Sequence, residues 1–260
     1  MALVEFEKSG RVGKIILNDE KNLNAMSVPM GLEFKKLLAK IAKDKELTVV
    51  ILTGAGRAFS SGGNLDMILG LMKMPQKTIA KNLKTFYKMY LEIRHLPQIV
   101  IAAINGHAVG AGFCLALGCD LKYAATTAKM GANFAKLGLA PGMAGTYLIA
   151  HLAGLVNAAE ILFTGRLFDA PQAKAHGLLN GVVESNELLS HVTAIANEIA
   201  GNAPLPLRQI KKGLQMAPHK SLEQMFDYDA KMQALCLKTS DIREGIAATK
   251  EKRAPVFRGK

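Results

Sequence analysis

An α/β fold ending in a helical region is predicted by three features of the 260-residue sequence. Two short apolar runs, residues 47–53 (LTVVILT) and 98–104 (QIVIAAI), each end in turn-forming glycines, as buried strands entering tight turns do. Elsewhere apolar residues recur at three- and four-residue spacing, the period of amphipathic helices. The last third of the chain keeps that period almost throughout.

Taken in order, the opening MALVEFEKSGRVGKIIL alternates apolar and charged residues like a hairpin. It lacks the basic segment and apolar core of a signal peptide. Phe34, Leu37, Leu38 and Ile41, after Pro29, form the apolar stripe of a core-facing helix. The first strand runs into Gly54, Ala55 and Gly56 and then into the glycine-rich stretch SSGGNLDM, which contains Ser60, Ser61, Gly63, Asn64 and Asp66. The second strand is turned by Asn105 and Gly106 and enters NGHAVGAGFCLALGCD, where Gly110, Ala111 and Gly112 let a helix start close to a ligand. Leu188, Leu189, Val192, Ile195, Ala196 and Ile199 make a further core-facing helix. Ala203, Pro204, Leu205 and Pro206 break it, and Ser221 caps another helix rich in Met and Leu. No low-complexity linker interrupts the chain, so the boundary near Asn202 reads as a change of layer.

Half the residues are hydrophobic, enough for one large domain, or one domain with a helical appendage. The three cysteines, Cys114, Cys119 and Cys236, are odd in number and lack CxxC spacing, which favours a reduced, cytoplasmic setting. No uninterrupted apolar stretch approaches about 18 residues, so no membrane span is expected. The net charge is +12, from 33 basic against 21 acidic side chains. Lys73, Lys77, Lys81, Lys84 and Lys88 form one basic stripe, opposite Leu83, Phe86 and Tyr90 on a helix. That stripe is either a solvated face or a contact for the phosphates of a polyanionic small molecule. Zinc-finger spacing and RNA-binding aromatics are absent, which disfavours nucleic acid.

GAGRAF, residues 54–59, begins like a dinucleotide fingerprint, but Phe59 stands where the third glycine must be. Neither GxxxxGK[ST] nor GxSxG occurs, so Ser60 and Ser61 read as hydroxyls that tie down a loop. The six histidines include no i, i+4 pair and no HExxH, so no metal site is expected.

Each glycine-rich stretch follows a strand and offers backbone N–H groups, and a helix N-terminus near Ala111 carries partial positive charge. Together they form a pair of donors for one developing oxyanion. These segments resemble the crotonase superfamily, the enoyl-CoA hydratase/isomerase family. AFSSGGNL, NGHAVGAG, LGLAPGMAGTYL, FTGRLFDAPQAKAHGLLNGVV and EKRAPVF follow in family order across nearly the whole chain. The resemblance implies a spiral of repeated β-β-α units over 1–200 carrying an acyl-CoA site. It also implies a helical oligomerisation region over 201–260, assembly as a homotrimer or dimer of trimers, and coenzyme A as part of the thioester substrate rather than a separate cofactor.

Carried across residue by residue, the resemblance puts the oxyanion-hole amides on Gly63 and Ala111. Lys21, Asn22, Leu23, Asn24 and Ala25 match the segment along the CoA adenine and pantetheine, and Lys252 matches a basic position reaching CoA phosphate. The two glutamates of family hydratases are replaced by Cys114 and Phe134. Neither a thiol nor a phenyl ring both takes a proton from water and supplies one at the α-carbon, which puts ordinary hydration in doubt. Cys114 is either a thiolate favoured by the helix N-terminus or a small buried apolar residue. Asp66, the carboxylate nearest the first loop, is either a proton carrier or a helix cap. Asn64, His107 and Tyr87 are candidate partners for substrate oxygen, and Asp120 reads as fixing a turn. Three activities fit: a hydratase/isomerase-family enzyme with atypical acid and base groups, a thioester decarboxylase, and a non-catalytic acyl-CoA-binding subunit.

Overall fold

The computed structural model describes residues 2–260. It opens with the antiparallel hairpin of β1 (Val4–Ser9) and β2 (Val12–Leu17), turned by Gly10 at φ +56°. Helix α1 (Val28–Ile41) follows, capped by the Ser27 hydroxyl, which accepts from the Met30 amide at 3.3 Å. Its Phe34, Leu38 and Ile41 are buried, as their spacing predicts.

Three β-β-α repeats come next. The first is β3 (Val49–Gly54), β4 (Ala58–Ser60) and the helices α2 (Leu65–Leu71) and α3 (Gln76–Leu91). The second is β5 (Ile99–Ile104), β6 (His107–Val109) and α4 (Ala111–Leu117), and the third is β7 (Leu121–Ala125), β8 (Lys129–Gly131) and α5 (Gly145–Thr164). In each, a short turn carries the chain from one sheet to a second. The larger sheet runs β1-β2-β3-β5-β7 and closes on β10 (Gly181–Val183); the smaller runs β4-β6-β8 and closes on β9 (Phe168–Asp169). The β3, β5 and β7 strands are parallel, as are β4, β6 and β8, and this alternation is the spiral. Gly106 is required where it stands, because a side chain there would strike the Arg57 carbonyl on the adjacent turn.

Helix α6 (Ala170–Ala175) has a capping box from Asp169 and Gln172 and leads to β10. Helix α7 (Leu188–Ala200) then lays Leu188, Val192 and Ala196 against the larger sheet. Pro204 does not merely end α7; it occupies the first turn of α8 (Pro204–Met216), where its missing N–H costs nothing. Ser221 caps α9 (Leu222–Cys236) with a capping box to Gln224, and α10 (Ser240–Glu251) completes the helical end. That end is tied to the spiral: Lys211 Nζ lies 2.6 Å from Asp120 Oδ2 and donates to the Gln98 carbonyl at 2.8 Å. Asp120 also accepts from the Val100 amide at 2.8 Å, so its carboxylate ties a strand start to a helix rather than bonding within its own turn.

One feature departs from the membrane expectation. Helix α5 is long and apolar enough, by length and composition alone, to cross a bilayer. Gly154, at φ +73° and ψ +165°, breaks it into two shorter helical runs.

Candidate active site

The loop between β4 and α2 is zipped onto the segment before α1. The Met26 amide donates to the Gly62 carbonyl at 2.7 Å, Asn64 N–H to the Met26 carbonyl at 2.9 Å, and Ser61 N–H to the Leu23 carbonyl at 2.9 Å. Ser60 is fully buried; its hydroxyl donates to the Asn24 carbonyl at 2.8 Å and accepts from the Gly62 amide at 3.2 Å. Amides 61 and 64 are therefore bonded to the segment before α1, and amide 62 to Ser60. The Gly63 amide has no such bond among the described residues. Ser60 and Ser61 act as the loop ties their context predicted, with Ser61 Oγ donating to the Asn22 carbonyl at 3.4 Å.

The second loop enters α4 through Gly110, at φ +53° and ψ −116°, whose amide donates to the Gly131 carbonyl at 2.8 Å. Ala111 is the first residue of the helix, so its N–H has no partner within it. The loops touch: a side-chain carbon on Gly62 would lie 2.7 Å from the Val109 carbonyl oxygen and 3.5 Å from the Ala111 nitrogen. Gly63 and Ala111 line one cavity of about 760 Å³.

The sequence does not point to the apolar wall of this cavity. It comes from Met67, Ile68 and Leu71 of α2, Ile79 and Leu83 of α3, and Met143 at the entry to α5. Their i, i+3 and i+4 spacing was the available signal, but that pattern does not distinguish a pocket wall from core.

The hydratase-glutamate positions hold no acid or base. Cys114 is fully buried, and burial pushes its thiol up to about 12. That corrects the thiolate alternative: the short α4 does not offset the loss of water around the sulfur. The Phe134 ring is half-buried and forms part of the cavity wall. Among the described residues, Asp66 and Tyr87 are the ionisable side chains lining the cavity. Asp66 is exposed in the first turn of α2 and is not its cap; Asn64 is, accepting from the Met67 amide at 2.9 Å. Tyr87 faces Gly142, whose added side-chain carbon would lie 2.8 Å from the hydroxyl. Burial raises the Tyr87 hydroxyl above its usual range. His107 is exposed on β6 and does not line the cavity.

The segment matched to coenzyme A divides. Asn22 and Ala25 line the cavity, and Lys21 is exposed nearby in sequence but not on its wall. Leu23, at φ +53°, supplies the carbonyl that holds Ser61. Asn24 is a buried strut rather than a ligand contact. Its side-chain amide donates to the Ala55 and Ala58 carbonyls at 2.9 and 2.8 Å, and its oxygen accepts from the Asp19 amide at 2.9 Å. Lys252, the C-cap of α10 at φ +54°, is exposed and is not on the cavity wall. Lys77, Lys81, Lys84 and Lys88 are exposed on α3, and Lys73 in the turn before it, with no ion pair to any of them among the described residues. No group of three or more His, Cys, Asp or Glu placed to hold a metal occurs among the described residues.

Known proteins share this architecture. The family profile described as enoyl-CoA hydratase/isomerase matches residues 7–260. A short-chain-enoyl-CoA hydratase of Clostridium acetobutylicum is 31% identical over 96% of this chain and 95% of its own. A 1,2-epoxyphenylacetyl-CoA isomerase of Escherichia coli is 32% identical over 95% of this chain and 94% of its own. The crystal structure of an enoyl-CoA hydratase from Bacillus anthracis superposes with a TM-score of 0.94 at 33% identity, covering 99% of this chain and 100% of that one.

Proposed function

The chain belongs to the enoyl-CoA hydratase/isomerase family, and we propose that it processes an acyl-CoA thioester by stabilising its enolate between the Gly63 and Ala111 amides. One observation carries this reading: in two touching loops, the Gly63 N–H and the Ala111 N–H, neither bonded within its own loop or helix, both border the same cavity. A thioester carbonyl oxygen accepting from both gains negative charge as electrons leave the α-carbon. Each fixed donor then lowers the barrier by about 3 kcal/mol. The apolar walls from α2 and α3 exclude water and strengthen those bonds. Coenzyme A enters as part of the substrate, past Asn22 and Ala25, with no separate resident cofactor in this reading. The setting is cytoplasmic, and the assembly is a homotrimer or dimer of trimers through the region 201–260.

Decarboxylation of a malonyl-type thioester is the second reading, favoured by the neutral, buried Cys114 and the apolar Phe134. Loss of carbon dioxide leaves its bonding electron pair on the α-carbon, so the enolate forms without a base. Hydration needs proton transfers for which Asp66, exposed on the rim, is the remaining carboxylate on the wall. The test is Ala111→Pro, because proline is well tolerated at the first helical position and removes the N–H, a ring carbon taking the place of the hydrogen. Turnover of crotonyl-CoA and of malonyl-CoA is measured in parent and variant. A fall of about 100-fold or more in whichever reaction the parent performs, with an unchanged melt, is expected. Parent-like turnover in Ala111→Pro overturns the oxyanion assignment; thioester binding with neither reaction favours a non-catalytic binding subunit.

A further inference from the structure

The cavity that receives the acyl group is walled by Met67, Ile68, Leu71, Leu83 and Phe134, yet one neutral hydroxyl stands in it without a protein partner. Tyr87 Oη makes no hydrogen bond among the described residues, although Tyr90, one helical turn on, donates to the Ser27 carbonyl at 2.7 Å, and Tyr147 and Tyr228 also have partners. Its position is set by close packing. Gly142 has no side chain to cover the hydroxyl, and a carbon placed there would lie 2.8 Å from it. Gly142 in turn lies against Cys114, its carbonyl 3.8 Å from the thiol. Cys114 sits three residues past Ala111 on α4, about 4.5 Å further along the helix axis. Through Gly142 the hydroxyl is thus placed near Cys114, about one helical turn into α4 from the Ala111 amide.

We propose that Tyr87 is a specificity-determining residue that donates its O–H to an oxygen on the β-carbon of the acyl group, selecting oxygenated acyl-CoA thioesters over plain hydrocarbon ones. This rests on the acyl-CoA reading of the cavity. Three physical reasons support it. Burial keeps the phenol protonated, so it acts as a donor at any ordinary pH. An acyl group entering the cavity displaces the water around the hydroxyl, and a purely hydrocarbon chain leaves it unpartnered, a penalty of about tenfold or more in affinity. A carbonyl, hydroxyl or carboxylate oxygen at the β-position restores the lost bond.

The experiment is calorimetric binding of acetoacetyl-CoA and butyryl-CoA, which have the same chain length and differ in the β-oxygen, to the full-length protein and to Tyr87→Phe. The parent is expected to prefer acetoacetyl-CoA by about tenfold or more, and the phenylalanine variant to lose about tenfold of that ratio. Gly142→Ala, which pushes the hydroxyl aside without removing it, is expected to lower the ratio in the same direction. A ratio unchanged in Tyr87→Phe, or no preference in the parent, overturns the Tyr87 assignment while leaving the acyl-CoA reading intact. Failure of the parent to bind either thioester overturns both.

Discussion

Gly62 packs against Val109 so tightly that a side-chain carbon on the first would lie 2.7 Å from the carbonyl oxygen of the second. This contact locks the two glycine-rich loops together and holds the Gly63 and Ala111 amides at one end of the same cavity. Gly62 is also at φ +101°, a conformation that L side chains rarely adopt. Gly62→Ala is therefore expected to cost about 2 kcal/mol of stability and about 100-fold in turnover, because the loops must part to admit the methyl group. A thermal melt and steady-state kinetics check this, and turnover within a few-fold of the parent would contradict the locking role.

Asn24 is expected to matter for stability rather than for coenzyme A. Asn24→Ala leaves the Ala55 carbonyl and the Asp19 amide without their partner and the Ala58 carbonyl with the Asn105 side chain at 3.4 Å alone, and it places alanine at φ +54°. A loss of about 3 kcal/mol in chemical denaturation is expected. Affinity for a CoA thioester, measured well below the melt, distinguishes a strut from a ligand contact.

Removing one member of the tie between the helical end and the spiral is expected to cost more than removing both charges. Lys211 is nearly buried, its side chain 5% exposed against 23% for Asp120. Lys211→Met leaves Asp120 charged without its partner, at about 3 kcal/mol. Adding Asp120→Asn to that variant restores part of the loss, because the amide oxygen still accepts from Val100 and carries no charge. Denaturant midpoints of the three variants decide it.

Alkaline pH is expected to weaken the fold through two thiols. Burial pushes both Cys114 and Cys119 up to about 12 from an ordinary value of 9.0. Below pH 9 both folded and unfolded thiols are protonated and their contribution is fully present. As pH rises from 9 toward 12 the unfolded chain releases these protons first, so the contribution is lost at up to about 1.4 kcal/mol per pH unit for each thiol. Stability measured at pH 8.5 and 10.5 is expected to fall less in Cys114→Ala than in the parent; equal falls would show that the thiol ionises normally.

Local patterns made much of this legible. The β-branched runs before two glycine turns became β3 and β5, the alternating opening became a hairpin, and Ser221 capped a helix, because each signal acts within a few residues. Pro204 reads in the sequence as a break after α7 and in the structure is also the first residue of α8, since the same fixed φ serves both. Gly63 and Ala111 could be located by motif, but the bonds that occupy the Ser61 and Asn64 amides around Gly63 are long-range: they depend on Met26 and Leu23 lying alongside the loop.

By itself, then, the amino-acid order determined the strands, the caps and the two glycine-rich loops, because backbone preference and apolar period are properties of short segments. Tertiary structure alone decided that Cys114 is a buried neutral thiol, that Asn24 braces two carbonyls, and that Tyr87 stands unpartnered beside Gly142. Solvent access and hydrogen-bond partners are set by residues tens of positions away in the chain, and it is these that determine a side chain's charge and its freedom to meet a substrate.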